Sequence, residues 1–162
     1  MMDGKGQNGL WMGLTFVVLA SAAWYWWGDT LNPTNQTQAL LRLQSLKQIP
    51  DSKTVGLLRT LNPTVKQIEG ELVWANSQQE GSLYIRHLPK PDTNRFYQIW
   101  VYDSRGTGKP IVLGQLEASS WQDDNYIPLK APTGVQEPYK FVLTLEQDND
   151  DIPEQILAMA QP

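Results

Sequence analysis

The chain has 162 residues, 41% of them hydrophobic, with 13 Lys and Arg against 17 Asp and Glu and a formal charge of −4. That length holds one folded unit beside a membrane segment. The acidic balance, with no cluster of Lys or Arg, excludes wrapping nucleic acid, which takes cations that displace counterions from phosphates. The absence of cysteine excludes structural disulfides, thiolate metal sites, a cysteine nucleophile and a lipidated cysteine anchor.

Residues 1–9 read as a short cytoplasmic tail. Between Lys5 and Asp29 no side chain is charged, and residues 10–27 read LWMGLTFVVLASAAWYWW. Eighteen helical residues at 1.5 Å each reach about 27 Å, close to the hydrocarbon thickness of a bilayer. Trp11 stands at one end and Trp24, Tyr25, Trp26 and Trp27 at the other, and amphipathic rings favour the headgroup interface. The segment predicts one transmembrane helix with those five rings at the membrane interface. Lys5 before it and Asp29 after it place the N-terminus in the cytoplasm and the bulk in the periplasm or outside the cell. The lipid bilayer of the inner (plasma) membrane is thus the first partner expected. A cleavable signal peptide is the competing reading, with residues 10–19 as its apolar region and Ala20-Ser21-Ala22 as a small-x-small cleavage pattern. The apolar run continues through residues 24–27, which favours a retained anchor; both readings carry the rest of the chain across the membrane.

Residues 28–64 read as a linker. Asn32-Pro33 breaks any continuation of the first helix. Leu40, Leu41, Leu43 and Leu46 then recur at near-helical spacing, predicting a short amphipathic helix over 36–48 that ends before Pro50. Its stripe could pack on the domain, pair with another copy or lie on the bilayer; packing is the simplest of the three. Residues 65–162 change to short β-like runs at 68–75, 81–88, 96–103, 111–116, 125–130, 139–146 and 156–160. The expected body is all-β: an antiparallel, Ig-like β-sandwich of about seven strands. Period-2 alternation points Leu72, Trp74, Leu83, Ile85, Tyr97, Ile99, Val101, Phe141, Leu143 and Leu145 inward. On the opposite faces it leaves Lys140, Thr144 and Glu146, with Trp100 partly exposed beside Gln98 and Tyr102. A slip of one residue in any strand would exchange its faces.

The chemistry-bearing candidates are few. His87, the sole histidine, sits on a predicted strand and cannot by itself assemble a zinc or copper site. Gly106-Thr107-Gly108-Lys109 lacks the spacing of a phosphate loop and is followed by Pro110 and a strand where that motif needs a helix. It reads as a hairpin turn. Asp148-Asn149-Asp150-Asp151 has neither the glycine nor the downstream glutamate of a calcium loop. No pair of carboxylates is singled out for glycoside hydrolysis. No catalytic residue, cofactor or metal is expected.

Several residues in order nonetheless carry a resemblance. Ile49-Pro50-Asp51 with Val55 follows the helix, and Gly70-Glu71-Leu72-Val73-Trp74 opens the domain. Leu88-Pro89 precedes a variable turn, and residues 97–103 read Tyr-Gln-Ile-Trp-Val-Tyr-Asp. Gly114 precedes an acidic loop, and Thr144-Leu145-Glu146 with Pro153 closes the series. From about residue 38 to 161 the chain resembles the C-terminal, extracytoplasmic domain of anti-sigma-K (RskA-like) factors. The resemblance marks Trp74, Pro89, Tyr97, Gln98, Trp100, Gly114 and Glu146 as the family's structural positions. It implies a membrane-anchored sensor or regulatory domain that works by protein–protein interaction, with a sigma-regulatory or envelope protein as partner. Family members carry a cytoplasmic sigma-holding part before the membrane helix; the nine residues that precede the span in this sequence are too few to fold. Either a separate subunit supplies the sigma-binding part, or the domain has been reused for another envelope task. The other reading is an accessory interaction subunit of a membrane complex in the cell envelope. A hydrolase is a distant third.

Overall fold

The computed structural model describes residues 35–57, 62, 65 and 67–162. The expected membrane helix at 10–27, with Trp11, Trp24, Tyr25, Trp26 and Trp27, lies outside the described residues. Among those described, no helix is long and apolar enough to cross a membrane.

Alternating apolar residues bounded by Gly, Pro, Asn and Asp produce strands here. The described residues hold β1 (Ser52–Gly56), β2 (Glu69–Ala75), β3 (Glu80–Arg86), β4 (Phe96–Asp103), β5 (Ile111–Glu117), β6 (Asp124–Lys130), β7 (Pro138–Glu146) and β8 (Gln155–Ala160). One helix among them, α1 (Asn35–Leu46), precedes the strands. They form two antiparallel sheets, ordered β1-β2-β3-β6 and β5-β4-β7-β8. The chain changes sheet between β3 and β4, between β5 and β6, and between β6 and β7. Eight strands replace the seven or so expected, and β1 is the addition. Its sequence, SKTVG, offers one half-buried apolar residue, Val55, so alternation could not reveal it. What makes it a strand is its pairing along the edge of β2, Ser52 opposite Ala75 through Gly56 opposite Glu71.

The core lies between the sheets. Leu72, Trp74, Leu83 and Ile85 of the first sheet face Tyr97, Ile99, Val101, Phe141 and Leu143 of the second, and each is at most 2% exposed. Leu145 is half-buried against the same cluster. The rings of Trp74 and Phe141 meet across the interface at 5.9 Å between centroids and a 52° tilt, a geometry aromatic pairs favour. This agrees with the inward faces expected from the sequence.

The outer face of the first sheet is dry where α1 lies on it. Leu43 and Leu46 bury themselves against Val73 and Ala75, with Ile49, Tyr84 and Tyr126 at the margin. Ion pairs from Arg42 to Glu80 and from Lys47 to Glu71 flank the contact. Leu41 points away and is 56% exposed.

The outward face of the second sheet departs from expectation. Gln98, Trp100, Val142, Thr144 and Glu146 turn away from the core, yet each is at most 2% exposed. Trp100 was expected to be partly exposed; it is buried, as are Thr144 and Glu146 on the same outward face. Trp100 sits on a central strand between Val112 and Val142. Its Nε1 donates to Thr144 Oγ1 at 2.8 Å, and that hydroxyl donates to the Gln98 carbonyl at 3.3 Å. With its only polar atom satisfied, the indole meets no hydrogen-bonding penalty on burial. His87 also differs from expectation. β3 ends at Arg86, and His87 follows it as an exposed residue with φ of 58°.

Candidate functional site

At one end of the sandwich the connections before β4, β6 and β8 come together, with Val65 beside them. The segment 87–95 is the best braced of them. Its prolines limit its conformations, and two aromatic side chains from elsewhere tie down its carbonyls. Tyr97 Oη donates to Pro89 O at 2.7 Å, and Trp121 Nε1 donates to Leu88 O at 3.0 Å. The Arg95 N–H closes a turn on Asp92 O at 3.0 Å. Burial pushes the Tyr97 hydroxyl up to about 12 from its ordinary 10.0, so it stays a hydrogen-bond donor through the physiological range. Opposite, the buried Asn125 amide accepts from Gln122 N at 2.9 Å and donates to Gln122 O at 2.6 Å, closing the loop before β6.

Two adjoining cavities open between these loops, one of about 590 Å³ and one of about 270 Å³, and Lys90 and Arg95 line both. The larger is also bounded by Asn94, Phe96, Glu117 and Ala118. The smaller is mixed in character, with Pro89, Pro91, Tyr97, Leu145 and Leu157 on one side and Asp92 and Gln155 beside them. The ordered series read from the sequence includes Pro89 and Tyr97 but passes over Lys90 and Arg95. The signal available was a Lys between two prolines, followed within four residues of the second proline by an Arg opening a strand.

The opposite end is held by a buried carboxylate. Asp103, at the end of β4, accepts the N–H groups of Gln136 and Glu137 at 2.8 Å each and of Arg105 at 3.1 Å. Burial alone would raise this carboxyl, but the three N–H groups and the Arg105 guanidinium outweigh it and hold it below 3.8. Gln79 clamps the same loop from the other side. Its amide accepts from Val135 N at 2.6 Å and donates to Val135 O at 2.8 Å and Asn76 O at 2.7 Å. Asp51 braces the turn after β2: Ser77 donates its hydroxyl and its N–H to the two carboxylate oxygens, and these bonds lower the carboxyl below its ordinary value.

The positions marked from the sequence do not converge on one centre. Trp74 and Tyr97 lie in the core, while Gln98 and Trp100 lie on the outward face of β4. Pro89 is in the braced loop. Glu146, at the end of β7, accepts the Glu154 N–H with both oxygens at 3.2 Å. Gly114 stands where the edges of the two sheets meet, and a Cβ there would come within 2.5 Å of Pro128 O. Among the described residues no group of three or more His, Asp or Glu side chains is placed to hold a metal ion. In the 148–151 loop, the Asp148 and Asp150 carboxylates accept the N–H groups of Asp150 and Ile152 instead.

The family model described as anti-sigma-K factor RskA, C-terminal, matches residues 11–155. No curated protein and no solved structure matches the chain. The match spans both the apolar N-terminal stretch and nearly all of the β-sandwich, and the chain therefore belongs to the anti-sigma-K factor RskA C-terminal family.

Proposed function

We propose that this chain is a membrane-anchored regulatory module of anti-sigma type, whose sandwich lies outside the cytoplasm and works by binding a protein partner, without catalysis. The observation that carries the reading is the family match over residues 11–155. It takes in residues 11–27 of the uncharged stretch as well as most of the folded body, which supports reading the two together. Physical chemistry supports the same topology. A stretch of this length and apolarity suits a bilayer, and its aromatic ends suit the headgroup regions. The sandwich supports a binding role, because its two ends are braced by buried hydrogen bonds and so present loops of fixed shape.

Topology is tested by protease protection on intact and ruptured spheroplasts carrying a C-terminally tagged chain. The tag should be cut in intact spheroplasts and the chain should remain in the membrane fraction. A tag protected until rupture, or a chain recovered in the soluble cytosol, overturns the placement. The regulatory role is tested by crosslinking in membranes followed by affinity capture. Recovery of a sigma factor or of a protein that holds one is the expected result, and its consistent absence removes the role.

A further inference from the structure

Arg95 is half-buried between the two cavities at the loop end, and its guanidinium is poorly matched by its surroundings. Of its five N–H donors, one reaches Gln155 Oε1 at 3.2 Å, while the buried Nε has no partner. Lys90 lines both cavities beside it. The acidic groups present are Glu117 in the larger cavity and Asp92 in the smaller, and among the described residues neither forms an ion pair with Arg95 or Lys90. A buried donor left unpaired is costly and rare in folded proteins, and a planar guanidinium matches a carboxylate in two-point fashion. The smaller cavity adds the second half of a ligand's shape. Its lining is mixed, but Pro89, Pro91, Leu145 and Leu157 form an apolar wall within its volume of about 270 Å³, room for one branched aliphatic or short alkyl group. Tyr97 and Trp121 fix the loop that carries Lys90 through their bonds to Pro89 and Leu88, so the site is formed in advance of binding.

We propose that this cleft binds a carboxylate attached to a compact apolar group. Arg95 takes the carboxylate with Lys90 beside it, and the smaller cavity takes the apolar group. Two sources share this chemistry: the free C-terminus of a peptide ending in an aliphatic residue, and a short-chain fatty acid. The site depends on the cleft alone and holds whichever side of the membrane the sandwich occupies.

The test uses the full-length chain in nanodiscs of zwitterionic lipid, titrated by calorimetry with N-acetyl-leucine, with hexanoate, with the amide of each, and with inorganic phosphate. At least one acid should bind, its amide should bind about tenfold more weakly or less, and added salt should weaken the acid. Preference for N-acetyl-leucine identifies a peptide terminus as the source, and preference for hexanoate identifies the fatty acid. Arg95→Gln should weaken the acid by about tenfold and Lys90→Gln by a smaller factor. Should Arg95→Gln fail to fold, Lys90→Gln at an exposed position and the acid-against-amide comparison on the unaltered chain decide the matter. Binding of neither acid, equal binding of acid and amide, phosphate binding as tightly as the acids, or indifference to the substitutions overturns the proposal.

Discussion

At Gly114 a Cβ would meet Pro128 O at 2.5 Å and Leu129 Cδ2 at 3.3 Å. The nearer obstacle is backbone on the edge strand of the other sheet, which cannot swing aside as a side chain could. Gly114→Ala is expected to destabilise the fold by about 1–3 kcal/mol, seen as a lower urea midpoint with an unchanged slope. Asp103 gives a second prediction, with a definite sign. Its folded carboxyl lies below the ordinary 3.8, so the stability it contributes is present above that value and lost as pH falls through the folded value. Unfolding in urea should therefore become easier on acidification below about pH 4, with Asp51 acting in the same direction. Asp103→Asn should flatten that acid limb and cost about 1.5–3 kcal/mol at neutral pH, the worth of hydrogen bonds to a charged group. An unchanged acid limb would remove Asp103 from the account. Neither effect could be read along the chain: the N–H groups that donate to Asp103, for example, lie 33 and 34 residues away.

Among the elements, α1 shows most clearly how a local pattern acquires its meaning. The leucine spacing foretells a helix, and the structure shows which leucines are used: Leu43 is 4% exposed and Leu46 is fully buried, while Leu41 remains 56% exposed. Substituting Leu43 or Leu46 therefore tests the docking of the helix on its own sheet. Leu46→Ala should cost about 2–5 kcal/mol in opening of α1, seen as faster amide exchange over Asn35–Leu46 and β2 with little change in β4 and β7. Removing the half-exposed partners Arg42 or Lys47 should cost under about 1 kcal/mol each, since solvent screens such pairs. Equal protection of α1 in Leu46→Ala would mean the helix is held by something other than this contact. β4 carries the complementary lesson. Its alternation separates Tyr97, Ile99 and Val101 from Gln98, Trp100 and Tyr102 correctly, but alternation cannot say whether the second face is wet. The bond from Trp100 to Thr144 on β7, 44 residues on, decides how that indole is accommodated.

For the molecule as a whole, the contact between Trp74 and Phe141 joins the two sheets. Trp74→Ala is expected to cost about 3–5 kcal/mol and to lower the single unfolding transition seen by circular dichroism, affecting both sheets together. Loss of structure confined to β1, β2 and β3 would show instead that the sheets unfold separately. Much of this architecture was legible from the order of residues alone. Strand and helix periods are local properties, written into every two or four residues, so seven strands, the amphipathic helix and the inward core residues could all be named in advance. The uncharged stretch at 10–27 is equally local, which is why the proposed membrane anchor rests on sequence alone. Only the folded chain could decide the rest. β1 is a strand because β2 supplies its hydrogen bonds. The cleft exists because Lys90 and Arg95 from one loop meet Leu145, Gln155 and Leu157 from two distant strands. Arg95 and Gln155 are 60 residues apart, and no periodicity reaches that far. What a side chain touches across the sandwich depends on how the sheets are ordered and stacked, and that is set by the packing of the whole core at once.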